Sequence, residues 1–245
     1  MRRFFLEQQV FNDEISLSKR EKHHMVNVFR FKPGVEVELF DVEGYEYIAQ
    51  VIACDKKEIK LRILSKKYKK EEKKLKIYLA QGLIKTKKWD LLLQKSMELG
   101  LHCLYPVLTK NLASGANTAG RCERWNKVLI SAAKQSGRNS LIDIKPIKTF
   151  EEVLEESKKF DIKILAHNDS SLPHLKNVLD SYEKNFNKDM VMIGPEGGFT
   201  EKEIELARQN NITLFSLGSY ILRAETAAIA IIANLNFYNS PKTSE

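Results

Sequence analysis

Two glycine-containing segments of the sequence have residue types that suit a ligand site. The first, Ile193-Gly194-Pro195-Glu196-Gly197-Gly198, follows an apolar stretch and precedes Thr200 and Glu203, which have the spacing of a helix-capping box. Glycines admit a positive φ and let a ligand approach the main chain closely. The segment lacks the Gly-Lys-Ser/Thr ending of a P-loop and the GxGxxG pattern of a dinucleotide site. Taken alone, its two glycines favour a plain strand-to-helix turn.

The second segment, residues 215–228, also passes from an apolar stretch through a glycine to a predicted helix start. Arg223 and Glu225 lie there between apolar residues, where charged side chains are usually paired or functional. The structural alternative is an Arg223–Glu225 ion pair at the helix N-terminus. Two glycine loops at strand ends are placed to bind one ligand between them.

The elements that must position these loops alternate between strand and helix. Strands separated by helices indicate a parallel α/β sheet, whose ligands bind at the carboxyl ends of the strands. Hydrophobic patterning, with Gly100 as the predicted end of the first helix, predicts strands at 75–80, 103–108, 162–166, 190–193 and 212–217 and helices at 88–99, 122–136, 171–184 and 225–238.

Residues 1–76 are predicted to be mainly β-structure. Period-2 runs at 35–40, 45–52 and 58–64 fit a small barrel, and a helix is predicted over 18–31, before Pro33-Gly34. The charge run at 66–74 has no apolar period and is either a solvated linker or a nucleic-acid contact. We place the domain boundary there, between residues 1–72 and 73–245.

The composition indicates a folded chain of one large domain or two unequal ones. It has 245 residues, of which 43% are hydrophobic and 29% charged, and this excludes wholesale disorder. Cys54, Cys103 and Cys122 form no CxxC pair, which argues against a disulfide framework or a zinc site. Residues 224–237 are too short and polar to span a bilayer, and Glu7 interrupts the basic–apolar start before a signal-peptide core forms. We expect a cytoplasmic protein.

The net charge of +8 is unevenly distributed. Residues 1–76 carry +5 and residues 77–150 carry +8, whereas residues 151–245 carry −5. A general bias toward lysine does not explain the acidic last third. The distribution therefore favours a polyanionic partner, and nucleic acid in particular, for the first 150 residues.

Several segments resemble the ribosomal RNA small subunit methyltransferase E family, whose members are trefoil-knotted SPOUT-class methyltransferases. Two positions depart from the family pattern: Phe29 stands where leucine is expected, and Lys134 stands where many members have glutamate. The resemblance runs along the whole chain and rests on 193–200 (IGPEGGFT), 217–227 (LG and ILRAETA), 1–5 (MRRFF), 24–34 (His, Val-Phe-Arg, Gly), 94–100 (QKSMELG) and 133–138 (AKQSGR).

The resemblance implies S-adenosylmethionine-dependent methylation of N3 of a uridine in 16S rRNA, near the decoding site. It also implies an α/β fold in which an N-terminal PUA-like β-barrel precedes a SPOUT domain with a deep trefoil knot, and a homodimer. Metal is not needed, because the sulfonium carries its own leaving group. Either free 16S rRNA or the assembled 30S subunit is the substrate.

The implied cofactor site uses both glycine loops and a third loop at 166–168. His167 there is either a cofactor contact or a solvated loop residue. Arg223 is the candidate for stabilising the uridine anion, and Glu225 either orients Arg223 or accepts the proton, directly or through water. The predicted cofactor contacts are His167, Ile193, Gly194, Pro195, Glu196, Gly197, Gly198, Leu217, Gly218, Ile221, Leu222, Arg223, Thr226 and Ala227.

RNA binding is expected from basic residues of the first 150, although each one alone also fits a solvated surface charge. Two other function classes compete: a non-catalytic RNA-binding assembly factor that keeps the pocket, and an enzyme that binds phosphate in the 194–198 loop. The predicted RNA contacts are Arg2, Arg3, His24, Arg30, Lys85, Lys87, Lys88 and Arg138.

Overall fold

The protein is described by a computed structural model that covers residues 1–7, 10, 14–17, 21–22, 25–26, 29–54, 59–68, 76–111, 120–182 and 188–239. It has two compact units. The N-terminal unit comprises Met1–Glu72 with Ile130–Leu141, and the C-terminal unit comprises Lys73–Leu129 with Ile142–Glu245. In the part of the chain that is described, no helix is long and apolar enough to cross a membrane.

The strands and helices are numbered here in chain order. The strands are β1 (Arg3–Leu6), β2 (Glu14–Ser16), β3 (Glu36–Asp41), β4 (Tyr45–Cys54), β5 (Ile59–Tyr68), β6 (Lys76–Gly82), β7 (Cys103–Leu108), β8 (Asp143–Ile144), β9 (Lys148–Thr149), β10 (Ile162–Ala166), β11 (Lys188–Ile193) and β12 (Thr213–Phe215). The helices are α1 (Thr86–Glu98), α2 (Arg121–Ser136), α3 (Phe150–Ser157), α4 (Leu175–Asp180), α5 (Glu201–Gln209) and α6 (Ala224–Tyr238).

The N-terminal unit contains a five-stranded sheet in the order β1-β3-β4-β5-β2. The period-2 runs are confirmed as β3, β4 and β5, which pair in antiparallel fashion and bury alternate side chains such as Val37, Leu39, Val51 and Leu61. Among the described residues this sheet is open, with β1 and β2 at its edges. Alternation predicts strands but carries no information on closure, so the barrel stays a prediction.

Only part of the predicted helix at 18–31 can be compared, because residues 18–20, 23–24 and 27–28 lie outside the described residues. The backbone at 21–22 and 25–26 is helical. Glu21, only 3% exposed, forms an ion pair with Lys134. Lys134, one of the two departures from the family pattern, therefore has a structural partner within the N-terminal unit.

Phe29, the other departure, belongs to an aromatic cluster. Its ring centroid lies 5.7 Å from that of Phe31 and 6.0 Å from that of Phe4. The guanidinium carbon of Arg2 lies 3.6 Å from the centroid of the Phe29 ring, which is a cation–π contact. Phe29 thus gives the exposed Arg2 an aromatic contact that a leucine at this position could not provide.

Arg3 has structural contacts within the N-terminal unit, and these do not support its prediction as an RNA contact. Its side chain is 7% exposed, and its Nε lies 2.9 Å from Glu38 Oε1. One terminal nitrogen lies 3.3 Å from Glu46 Oε1, and the other donates to the carbonyl oxygens of Ala133 and Arg138. A guanidinium whose donors are used in this way has none to offer to a phosphate.

The C-terminal unit contains a seven-stranded parallel sheet in the order β12-β10-β11-β6-β7-β8, with β9 also beside β7. The predicted strands are confirmed as β6, β7, β10, β11 and β12. The helix predicted at 88–99 is confirmed as α1, and Gly100 ends it with a φ of +79° while the Leu101 N–H donates to the Ser96 carbonyl over 2.9 Å.

Two helices of this unit differ from the prediction. The helix expected at 171–184 is observed only as α4, which follows Pro173 at its N-terminal side, and residues 183–187 are not described. Helix α3 was not predicted, although the sequence holds its signal: Thr149 and Glu152 form a capping box. The same motif at Thr200 and Glu203 correctly predicted the start of α5.

Asp189, at the start of β11, has a buried carboxyl group. It is 0% exposed, and neither of its carboxylate oxygens has a hydrogen-bond partner among the described residues. Burial, together with the negative charge of Asp161, raises the pKa of Asp189 to about 7. Asp189 therefore binds a proton in the folded state at a pH where the unfolded chain has released it.

We predict that this carboxyl group makes the stability of the protein pH-dependent. Because its folded-state pKa is raised, the free energy of unfolding falls as the pH increases from about 4 to about 7. Asp189→Asn stays neutral, so its free energy of unfolding should not fall over this pH range. At about pH 8 its free energy of unfolding should exceed that of the wild type by about 1–4 kcal/mol. Urea denaturation across this pH range measures it, with exposed Glu205→Gln as the control. Equal pH dependence in Asp189→Asn and wild type would contradict the prediction.

Candidate ligand-binding cleft

A cleft of about 560 Å³ opens in the C-terminal unit where β10, β11 and β12 end. The three strands are parallel, so the loops that follow them meet at the same edge of the sheet. The lining comes from residues 166–168 after β10, 193–199 after β11 and 216–218 with 220–224 after β12, together with Lys88 and Ala227.

The structure places the predicted cofactor residues on the wall of this cleft, with one exception. Thr226 is exposed and does not line it, because Ala224 and Ala227 occupy the helix face that does. The lining residues from the prediction are His167, Ile193, Gly194, Pro195, Glu196, Gly197, Gly198, Leu217, Gly218, Ile221, Leu222, Arg223 and Ala227.

The loop after β11 is a tight turn that packs directly on the end of β6. Its Gly198 N–H donates to the Pro195 carbonyl over 2.9 Å. A Cβ atom at Gly194 would lie 3.1 Å from Gly198 Cα, and one at Gly82 would lie 2.6 Å from Pro195 Cδ. Contacts this close exclude a side chain at Gly82. The end of β6 can therefore approach Pro195 only because residue 82 is glycine.

The side chain of Gln81, on β6, donates a hydrogen bond to this turn. No role for this residue was predicted from the sequence. Its side chain is 0% exposed, and its Nε2 donates to the carbonyl oxygens of Gly82 at 3.0 Å and Gly194 at 3.1 Å. A glutamine in an apolar strand has no distinctive sequence pattern, and its acceptor at Gly194 lies far along the chain. Only the pairing of β6 with β11 brings the two together.

The loop after β12 is fixed by hydrogen bonds around Ser216. The Ser216 hydroxyl accepts from the Gly218 N–H, and its backbone N–H donates to the Pro173 carbonyl. The N–H of His167, in the third loop, donates to the Phe215 carbonyl over 3.0 Å. The loops after β10 and β12 are therefore held at the sheet edge by hydrogen bonds.

Charged residues converge on one wall of the cleft. Lys88 Nζ lies 3.2 Å from Glu196 Oε1 and 3.8 Å from Glu225 Oε2. Burial opposes the ionisation of Glu196, but hydrogen bonds from its own N–H, from Lys88 and from the Lys85 N–H outweigh it and lower the pKa of Glu196. Lys88, predicted as an RNA contact, is thus a lining residue of the cleft.

Glu225 pairs with Lys88, and no ion pair joins it to Arg223 among the residues described. It is 5% exposed and does not line the cleft, so the structure does not support the predictions that it orients Arg223 or contacts a substrate directly. Arg223 precedes the first turn of α6 as an exposed residue on the cleft wall. Its positive charge is therefore accessible to a ligand.

The remaining predicted RNA contacts have different surroundings. Arg2, Arg30, Lys85 and Lys87 are exposed. Arg138 is half-buried, and its Nε donates to the Ser140 hydroxyl over 3.1 Å. His24 lies outside the described residues.

The cleft combines backbone groups, apolar side chains and a few charges, which suits a ligand of nucleoside size with a polar tail. No cluster of three His, Cys, Asp or Glu side chains that could hold a metal occurs within the described ranges. Tyr220, 85% exposed at the cleft, is a further lining residue that was not predicted.

Comparison with known proteins assigns both parts of the chain. Residues 71–236 match an RNA methyltransferase domain, and residues 17–64 match an RNA methyltransferase PUA domain. The chain is 29% identical to ribosomal RNA small subunit methyltransferase E of Bacillus subtilis over 97% of the chain and 96% of that protein. It is 30% identical to the protein of the same name from Buchnera aphidicola (Acyrthosiphon pisum), over 95% and 92%.

Two solved structures are similar over nearly the whole chain. A ribosomal RNA small subunit methyltransferase E from Neisseria gonorrhoeae bound to S-adenosyl methionine is 30% identical, with a TM-score of 0.86 over 97% of this chain and 98% of that one. A putative methyltransferase from Legionella pneumophila in complex with the cofactor SAM is 28% identical, with a TM-score of 0.88 over 96% and 97%.

We predict that Gln81→Met destabilises the protein. The side chain keeps its volume, but the carbonyls of Gly82 and Gly194 lose their buried donor, which lowers the free energy of unfolding by about 1–3 kcal/mol. Urea denaturation measures the change, and Gln94→Met on the exposed side of α1 is the matched control. Equal stability of the two variants would show that Gln81 does not support the turn.

Proposed function

The chain belongs to the ribosomal RNA small subunit methyltransferase E family, and we propose that it methylates N3 of a uridine in 16S rRNA near the decoding site, with S-adenosylmethionine as the methyl donor. The observation that carries the proposal is the cleft formed by three loops at adjacent strand ends. Relatives of the same fold have been crystallised with this cofactor.

The cleft residues fit the cofactor. When bound, S-adenosylmethionine would supply the methyl group of its sulfonium, and the neutral thioether would be the leaving group. The backbone of the 194–198 turn and of Leu217, Gly218, Ile221 and Leu222 would hold its adenosine and methionine parts, with His167 as a contact from the third loop. A Cβ atom at Gly194 would lie 3.1 Å from Gly198, and one at Gly197 would lie 3.1 Å from Asn111 Cβ, so glycine at both positions keeps the turn compact beside the cleft. These residues act by positioning the donor relative to the base.

Arg223 is the proposed catalytic residue. N3 of uridine carries a proton that must leave before or during attack, and the resulting anion needs a positive charge nearby. Arg223 supports this role because it is exposed and lines the cleft at the start of α6.

RNA binding is proposed for the basic residues that remain at the surface. A match to an RNA methyltransferase PUA domain supports a nucleic-acid contact in the N-terminal unit. Lysines and arginines supply sequence-independent attraction to phosphate, and base recognition needs additional contacts. The residues proposed are Arg2, Arg30, Lys85, Lys87 and Arg138.

We also propose the trefoil knot and the homodimer. After edge strand β12 the chain returns, so that α6 packs on α1, β6 and β11, and such a return supports a knotted path. A partly exposed face of α6 is apolar, with Ile229, Ala230, Ala233 and the 83% exposed Phe237, which supports a self-association surface. A 16S rRNA substrate implies action in the cytoplasm.

The proposed activity is tested with methyl-labelled S-adenosylmethionine and 30S subunits from a strain that lacks this gene. We expect label on N3 of one 16S uridine, located by nuclease digestion and mass spectrometry, with free 16S rRNA as the parallel substrate. Cofactor binding without label on either RNA would favour a non-catalytic assembly factor. Binding of ATP or GTP instead of S-adenosylmethionine would favour the phosphate-ligand enzyme.

We predict that Arg223→Ala lowers the rate of methyl transfer about 100-fold or more, because the uridine anion loses its stabilising charge. The Kd for S-adenosylmethionine should stay within about threefold, since the proposed cofactor contacts are mainly backbone groups. Single-turnover transfer and isothermal titration calorimetry measure the two effects. Arg208→Ala, on the exposed side of α5, is the control. Wild-type transfer by Arg223→Ala would remove Arg223 from the mechanism.

A further inference from the structure

Lys88 joins two carboxylates that come from different elements of the cleft. It lies on α1, Glu196 lies in the loop after β11, and Glu225 lies in the first turn of α6. Its Nζ is 3.2 Å from the Glu196 carboxylate and 3.8 Å from that of Glu225. The ammonium of Lys88 therefore links α1 to the glycine loop after β11 and to the first turn of α6.

Glu225 depends on this ammonium for compensation. Its side chain is 7% exposed, and Oε2 accepts no hydrogen bond among the described residues. An ionised buried carboxylate without a nearby positive charge is strongly unfavourable. The N-terminal end of α6 also favours a negative charge, but Lys88 is the cation that the structure pairs with this group.

Glu196 also accepts a hydrogen bond from the backbone of α1, whereas among the described residues Glu225 Oε2 accepts none. The Lys85 N–H donates to Glu196 Oε1 over 3.4 Å, which attaches the turn to the start of α1 without Lys88. The ion pair with Glu225 extends this attachment to α6, whose first residues Ala224 and Ala227 line the cleft next to Arg223. Loss of the ammonium would release the helix start from the turn.

We infer that Lys88 is a positioning residue of the methyl-donor cleft, whose ammonium holds the 194–198 turn and the first turn of α6 together, and that it is not an RNA contact. The inference rests on the proposed function, because it assigns the cleft to S-adenosylmethionine. It also gives Glu225 a role in the site that requires no contact with the substrate.

Exposure separates Lys88 from its neighbours. Lys85 and Lys87 are exposed, whereas the side chain of Lys88 is 30% exposed and its ammonium is directed to the two carboxylates. A phosphate would have to compete with both carboxylates for its donors. Lys87 therefore suits a contact with RNA, and Lys88 suits the cleft.

The test measures cofactor and RNA affinity separately on the full chain. Lys88→Met removes the charge and keeps the length, Lys88→Arg keeps the charge, and Glu225→Gln removes the buried partner. Lys95→Met, on the exposed side of α1, is the neutral control, and Lys87→Met is the RNA-contact comparison. Calorimetry gives the Kd for S-adenosylmethionine, filter binding gives the Kd for 30S subunits, and circular dichroism checks folding.

We expect Lys88→Met to raise the Kd for S-adenosylmethionine about tenfold or more and to leave the Kd for 30S subunits within about twofold. Lys88→Arg should restore most of the cofactor affinity. Lys88→Met and Glu225→Gln should be non-additive, because each breaks the same pair. If Lys88→Met does not fold, Lys88→Gln replaces it.

Three results would overturn the inference. One is loss of 30S affinity with wild-type cofactor affinity in Lys88→Met, which would make Lys88 an RNA contact. Another is additive loss of cofactor affinity in the double variant, which would separate Lys88 from Glu225. The third is a wild-type protein that binds no S-adenosylmethionine, which would refute the proposed function itself and so differs from a failure specific to Lys88.

Discussion

The cleft depends on the close packing of Pro195, in the 194–198 turn, against the end of β6. Gly82 has no side chain, so the turn approaches the strand to a distance that a Cβ atom would occupy. Gln81 adds donors to the carbonyl oxygens on either side of the contact. Because β11 lies between β10 and β6, this contact fixes the loop after β11 on the neighbouring strand. The loops after β10 and β12 complete the lining of the cleft beside it.

Charge compensation is the second constraint on the cleft. Buried carboxylates are stable only with a cation or hydrogen-bond donors nearby. Glu203 accepts hydrogen bonds from the Thr200 N–H of its own capping box and from the Lys110 N–H after β7, and so supports the start of α5. Glu225 Oε2 accepts no hydrogen bond among the described residues and is paired with Lys88, which lies on a helix far away in the sequence. The two acidic residues at helix starts therefore have different dependences on the surrounding fold.

The basic residues of the first 150 positions divide into structural and surface groups. Arg3 and Lys134 are engaged within the N-terminal unit, with Glu38, Glu46 and Glu21 as their ion-pair partners. Arg2 instead lies over the Phe29 ring and stays exposed. A charge count treats all of these residues alike, because it contains no information on where their partners lie. Only the exposed group can contribute to attraction for a polyanion.

The sequence by itself determined the alternation of strands and helices, the two glycine loops and the capping box at Thr200, because each is a local pattern of hydrophobicity, turn residues or hydrogen-bonding side chains. It also placed Arg223 in a loop that lines the cleft. The tertiary structure alone decided that Glu225 pairs with Lys88, that Gln81 supports the turn, that Thr226 lies off the cleft wall and that Arg3 is buried. Those outcomes depend on residues far apart in the chain, which meet only through strand pairing and helix packing.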